Sequence, residues 1–242
     1  MKGVIFLILW MLPLSLSGLA EPAADYLREG AQHMAQREYE EAVESLEKAR
    51  DQNPNAPEIH NILGVAYLNI EDLEKAQASF EKAIQIKPGY AEAYFNLGVT
   101  YAQHRQDPLS AKEYFEKAFV LDPGYAPAYH ALALVYLTGT NDPRRAAELF
   151  EKTIALEPDM AQAYFGLGMA YLMQGKGEQT LKPISELRRL NNETYAVALE
   201  SLLRGDGVFM NKVAPSENAG AQAGSPVPPA ATEGSGAPDK NV

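Results

Sequence analysis

AEAYFNLGVTYAQHRQDPLSAKEYFEKAFVLDPGY, residues Ala91–Tyr125, decides the fold. It reads as two short amphipathic helices back to back. Tyr94, Leu97, Gly98 and Tyr101 recur at helical spacing and mark one face of the first helix. Ala111, Phe115 and Ala118 do the same for the second. Pro123 stands just past the second helix, where proline can stop a helix but not continue it.

The pattern spreads outward from there. Pro54, Pro88, Pro123 and Pro158 are spaced by 34, 35 and 35 residues. Counting back from them gives five units: 23–56, 57–90, 91–125, 126–160 and 161–194. Leu63-Gly64…Tyr67, Leu97-Gly98…Tyr101 and Leu167-Gly168…Tyr171 are near copies, and Leu132-Ala133…Tyr136 swaps Gly for Ala. In the second helices, Ala76, Phe80, Ala83 are echoed by Ala111, Phe115, Ala118 and by Ala146, Phe150, Thr153. Ala42, Leu46, Ala49 and Thr180, Ile184, Leu187 are the worn copies at the two ends. One such unit cannot cover its own apolar face, so units of this kind must stack.

This set of offsets resembles the tetratricopeptide repeat, whose unit of 34 residues carries Tyr or Trp, Leu-Gly, Tyr, Ala, Phe, Ala and Pro at set positions. The resemblance covers residues 23–194. It implies an all-α, right-handed superhelical solenoid of helix–turn–helix units. The third and fourth units hold one extra residue, which the spacing places between their helices, before Asp107-Pro108 and Asp142-Pro143. Asp suits an N-cap and Pro the first helical position, so both pairs read as helix starts. The two enlarged neighbouring turns are either relaxed turns or a docking edge. Residues 193–204, with Tyr195, Leu199 and Leu202 at helical spacing and Gly205 behind them, read as a capping helix. Pro183 falls near the first turn of the fifth unit's second helix, where proline is tolerated.

The two ends read differently. Residues 1–20 begin with Lys2, continue through an apolar run from Val4 to Leu12, and end in the small-residue pattern Gly18-Leu19-Ala20. That order is a secretory signal peptide, with cleavage expected after Ala20. The rival is an uncleaved membrane anchor, against which stand the short run and Pro13. The 242-residue chain has no cysteine, so an exported product fits a bacterial periplasm better than a disulfide-rich space. Residues 205–242 are rich in Pro, Gly, Ala and Ser and are expected to be a disordered tail.

Formal net charge is −11, and one unit more negative without the leader's Lys2. Such a surface repels phosphate backbones, so nucleic acid is not the expected partner. His33, His60, His104 and His130 lie in different units at different places within them, which suits structural roles better than a metal site. There is no phosphate loop, no GxSxG and no HExxH. Paired carboxylates such as Glu40-Glu41 and the recurring Glu-Lys dipeptides (47–48, 81–82, 116–117, 151–152) read as solvated helix faces. No cofactor, metal or catalytic site is expected.

A binding surface remains. The resemblance implies that the first helices line a concave groove for an extended peptide or a helix. Repeat register places Leu27, Val65, Leu68, Phe95, Val99, His130, Leu134, Leu137, Phe165, Met169, Leu172 and Met173 on that side, with Asn61 and Asn96 offering amides to a peptide backbone. The family's basic clamp for a terminal carboxylate is missing: the matching positions hold Glu58, Glu92, Leu27 and Ala131. The alternative is that these side chains pack between neighbouring helices. The expectation is a non-enzymatic, exported, periplasmic adaptor holding a protein or peptide partner in an apolar groove, for assembly of an envelope complex. Membrane contact would follow only from an uncleaved leader. The alternatives are a self-associating structural module or a non-catalytic subunit presenting substrate to a separate enzyme.

Overall fold

The computed structural model describes residues 21–205, so the expected signal peptide, 1–20, and the expected tail beyond Gly205 lie outside the described residues. Among these residues the secondary structure is all helical. The first unit is α1 (Glu21–Gln36) and α2 (Tyr39–Gln52), the second α3 (Pro57–Asn69) and α4 (Leu73–Ile86). The third is α5 (Ala91–Val99) and α6 (Pro108–Leu121), the fourth α7 (Ala126–Leu134) and α8 (Pro143–Leu156). Then come α9 (Ala161–Met173), α10 (Leu181–Arg189) and α11 (Glu193–Arg204).

Each helix pair closes on a small residue facing a large one. A Cβ added at Gly64 would lie 2.6 Å from the Phe80 ring, and one at Gly98 2.5 Å from the Phe115 ring. Phe80, Phe115 and Phe150 are fully buried. Burying each stabilises the stack by roughly 1.5–3 kcal/mol. Successive first helices touch one another, α3 to α5, α5 to α7, α7 to α9 and α9 to α11, and the second helices pack outside them. The first helices therefore form the inner layer of the solenoid.

Units are stitched by a repeated bond. The fourth residue of a unit reaches the carbonyl of the preceding unit's proline: Tyr129 Oη donates to Pro123 O (3.3 Å) and Tyr164 Oη to Pro158 O (3.0 Å). His60 occupies the same place and its Nε2–H donates to Pro54 O at 2.8 Å. Burial lowers its pKa and favours the neutral ring, while the bond to the carbonyl works against that shift.

The extra residue of units three and four is not in the turns. Every turn ends alike, with a residue of positive φ (Arg37, Glu71, Gln106, Asn141, Gly175) before the position that caps or precedes the next helix. The N–H of that position closes back on the first helix. Asp72 reaches Tyr67 O, five residues back, at 3.0 Å, whereas Asp107 and Asp142 reach Tyr101 O and Tyr136 O, six back, at 2.9 and 2.7 Å. The added residue is taken up upstream, where α5 and α7 continue as π-helical turns over Thr100–His104 and Val135–Gly139. The helix absorbs it, so the turn geometry and the approach of Gly98 to Phe115 are preserved. The expected enlarged turns, and the docking edge read from them, are thereby corrected.

Pro183 has a visible cost. α10 is 9 residues long where the other second helices have 14, and a 3₁₀ turn, Gly177–Thr180, precedes it. Pro183 cannot donate to Gln179 O, so the first α-helical turn is not closed there. α11 nevertheless packs closely, with Ala196 and Leu199 fully buried and Leu199 filling the space over Gly168.

Candidate functional site: the face of the first helices

The residues assigned to this face divide by their angle around the helix. Leu27, Asn61, Val65, Leu68, Phe95, Asn96, His130 and Leu137 are buried. Val99, Leu134, Phe165, Met169 and Leu172 are half-buried, and Met173 is 45% exposed.

The buried set packs within units and, at Asn61 and Asn96, across the joint between two of them. Phe95, only 8% exposed, lies 5.6 Å from the Phe115 ring and takes the edge of Tyr125 at 5.4 Å. His130 is 2% exposed and meets the Phe150 ring edge-on at 5.6 Å. Loss of hydration brings its pKa down to about 4, so the ring is neutral at pH 7. Asn96 Nδ2 donates to Asn61 Oδ1 at 2.9 Å, so these amides satisfy each other rather than a peptide backbone. For these residues the surface role is revised to packing: each side chain is buried among the helices of the array. Phe165 is also engaged, stacked on Tyr195 of α11 at 4.7 Å.

What stays open is narrower and regular. Val99, Leu134 and Met169 stand at equivalent places on α5, α7 and α9, each half-buried against the core and each 35 residues from the next. Half-buried Ala31, Ala102 and Ala131 lie on the same layer of helices and do not stand out in the sequence, because alanine at those places reads equally as packing. Leu172 and Met173 widen the apolar strip at its α9 end. Flanking charge is acidic and partly paired, as in Glu58 with Lys87 Nζ at 3.6 Å. A strip of this kind can take apolar side chains from an extended or helical segment.

A second concavity of about 540 Å³ lies between α8 and the end of α9, lined by Arg144, Glu148, Glu151, Tyr171, Gln174, Lys176 and Gln179. Its floor is structural. Tyr171 Oη donates to Glu151 at 2.6 Å, and burial beside that carboxylate pushes the phenol up to about 12. Gln174 Nε2 donates to Pro143 O at 2.8 Å. Among the described residues no group of His, Asp and Glu is placed to hold a metal ion, and no helix is long and apolar enough to cross a membrane.

Paired helices, Gly-to-Phe closures and proline-carbonyl stitches together define a tetratricopeptide-repeat solenoid. Family models described as tetratricopeptide repeat match residues 27–91 and 130–179, and a second such model matches 79–113; the chain belongs to this superfamily. No curated protein matches it. Among solved structures, the crystal structure of MamA is 26% identical, covers 72% of this chain and 93% of its own, and superposes with a TM-score of 0.59. TTC0263, a thermophilic TPR protein of Thermus thermophilus, is 23% identical, covering 75% of this chain and 99% of its own at a TM-score of 0.59. YrrB, a TPR protein with an unusual peptide-binding site, is 19% identical, covering 77% and 96% at a TM-score of 0.57. At those identities the last two speak to the fold alone.

Proposed function

We propose that this protein is a non-catalytic adaptor that holds an apolar segment of a partner protein along α5, α7 and α9. The family and fold are those of protein-interaction scaffolds. The observation that carries the finer reading is the open row Val99, Leu134 and Met169, ending in exposed Met173. Such a row on the inner layer of a solenoid offers register-spaced contacts to one continuous segment. YrrB, of similar fold, has a peptide-binding site. The leader-like order of residues 1–20 supports work outside the cytoplasm, in assembly of an envelope complex.

A photo-crosslinking residue at Leu134 in intact cells tests the surface. The expected product is an adduct that is absent when the crosslinker sits at Leu109 on α6, and whose protein binds the purified chain less tightly after Leu134→Ser with Met169→Ser. Equal capture from both positions would sink the proposal. Intact mass of the exported protein tests the leader: a species retaining Met1 contradicts cleavage after Ala20.

Self-association is the second reading, and one observation favours it. Leu109 and Val120 are 67% and 65% exposed, eleven residues apart on α6 and hence on one side of it. Light scattering across concentration separates the two, since a mass that stays monomeric excludes this contact.

A further inference from the structure

The charge beside the apolar strip changes from one unit to the next. In the second unit, Glu58 Oε1 pairs with Lys87 Nζ at 3.6 Å. Lys87 is the residue before that unit's proline, and its ammonium also stands over the Tyr90 ring, 4.5 Å from the centroid. The equivalent places in the third unit hold Glu92, Asp122 and Tyr125. Glutamate and tyrosine are kept, and a carboxylate stands where the second unit has its ammonium. The fourth unit has Glu157 at that place.

These groups converge on one phenol. Burial pushes the Tyr125 hydroxyl up, and Glu92, Asp122 and Glu157 each push it further. Glu157 Oε1 is itself buried without a hydrogen-bond partner among the described residues. Asp122 Oδ1 is held by the N–H of Gly124 at 2.9 Å. Among the described residues none of the three carboxylates has a cation within ion-pair distance, whereas Glu58 does. Nor is any group of acidic residues and histidines there placed to hold a metal ion, so a side-chain cation suits the place better.

The charge lies along the open row. Glu92, Asn96 and Val99 stand at i, i+4 and i+7 on α5, so Glu92 shares the side of the helix that carries Val99. The two are about 10 Å apart along the axis. Three residues of an extended segment cover the same length. One short segment can therefore set an apolar side chain at Val99 and a basic one at Glu92.

We propose that the partner segment held by Val99, Leu134 and Met169 is cationic as well as apolar. A lysine or arginine of that segment sits at Glu92 and Asp122 beside Tyr125, where Lys87 sits within the second unit. This rests on reading the strip as a docking surface, and charge complementarity names the occupant.

Two short labelled peptides are the probes, with the same leucines and with either lysine or glutamine between them. Each is titrated against the full-length chain by fluorescence anisotropy. The lysine peptide is expected to bind several-fold tighter. Glu92→Gln with Asp122→Asn should abolish that preference; both side chains are exposed, and asparagine keeps the acceptor for Gly124. Asp122→Lys, which copies the second unit's arrangement into the third, should abolish it too. Glu40→Gln with Glu41→Gln removes the same formal charge from exposed positions on α2 and should leave the preference intact. Equal affinity of the parent chain for both peptides would overturn the proposal. So would a preference that the α2 pair lowers as much as the Glu92 and Asp122 pair does, since that is general attraction to an acidic surface. Leu134→Ser with Met169→Ser separates the two readings. If it weakens both peptides while the carboxylate changes do nothing, the strip docks a segment and its cationic character falls. If the lysine preference follows Glu92 and Asp122 but neither peptide responds to the serine pair, the carboxylates bind without the strip and the docking surface falls.

Discussion

Asn96 Nδ2 lies 2.9 Å from Asn61 Oδ1, and this buried bond joins α5 to α3 across the inner layer. The two residues stand at different places in their units, sixth and fifth, so the bond fixes how one first helix slides against the next. Removing one partner leaves a buried polar group unsatisfied, which costs about 1–3 kcal/mol. Asn96→Leu is therefore expected to lower the urea midpoint clearly. Asn61→Leu combined with Asn96→Leu should recover most of the loss, because neither amide is then stranded. A double variant as unstable as the sum of the single ones would contradict the pairing.

Gly98 is the tightest closure within the third unit. A methyl group there would meet the buried Phe115 ring at 2.5 Å, and Phe115 has no solvent to move into. Overpacking of this kind costs about 1–3 kcal/mol. Gly98→Ala should lower the melting temperature, while Gly89→Ala, with nothing within 4 Å, should leave it nearly unchanged. Thermal denaturation followed by circular dichroism compares the two directly.

Helix pairs, their prolines and the Asp caps were legible in the sequence because each is local: periodicity, a missing N–H, a side-chain acceptor. Depth around the inner face was not. Successive residues turn about 100° around a helix, so the fifth, ninth and thirteenth residues of a unit lie only about 40° apart in turn. Yet Phe95 is buried, Val99 is half-open and Met173, thirteenth in its unit, is exposed. A pattern of apolar letters cannot resolve those steps; the positions of the neighbouring helices do. The Glu-Lys dipeptides are more than solvated charge for the same reason. Their lysines sit over tyrosines of their own units, Lys117 over Tyr94 and Lys152 over Tyr129. Two of their glutamates, Glu47 and Glu151, accept from Tyr67 and Tyr171 of the next unit, both at 2.6 Å.

Those tyrosine bonds depend on an undisturbed first helix. Where the π-helical turn intervenes, Tyr101 stacks on Tyr114 at 5.2 Å and Tyr136 receives Arg145 at 3.5 Å. Glu81 accepts from Gln77 and Glu116 pairs with Lys112. Tyr67→Phe is expected to cost about 1–2 kcal/mol, the worth of a partly buried bond to a carboxylate. Tyr101→Phe should cost less, since stacking survives loss of the hydroxyl. Chemical denaturation of both variants checks the order.

His130 makes the array acid-sensitive. Its folded-state pKa is about 4, below the ordinary histidine value of 6.5, because burial penalises the cation. Between these values the unfolded chain binds a proton that the folded chain refuses. Stability is therefore complete above about pH 6.5 and falls as pH drops toward 4, by up to about 3 kcal/mol from this group. His130→Leu replaces the ring by a side chain found at the equivalent place in the first unit, Leu27. Subtracting the two stability–pH curves isolates the histidine, and the variant should lose less stability between pH 7 and pH 4. Parallel curves would show that His130 does not carry the effect.

Phe95 and Leu134 separate stacking from recognition. Phe95 is wedged between Phe115 and Tyr125, so Phe95→Ala opens a cavity inside the third unit and should cost about 3–5 kcal/mol. Any loss of partner capture in that variant would come with a lower melting temperature. Leu134 and Met169 keep part of their surface in solvent. Leu134→Ser with Met169→Ser should therefore weaken capture while melting much closer to the parent than Phe95→Ala does. The informative quantity is the ratio of lost binding to lost stability, measured on the same preparations by titration and by thermal melting. A strip that reads a partner gives a high ratio for the Leu134 and Met169 pair and a low one for Phe95. Equal ratios would mean that binding follows the integrity of the solenoid and not the open row on α5, α7 and α9.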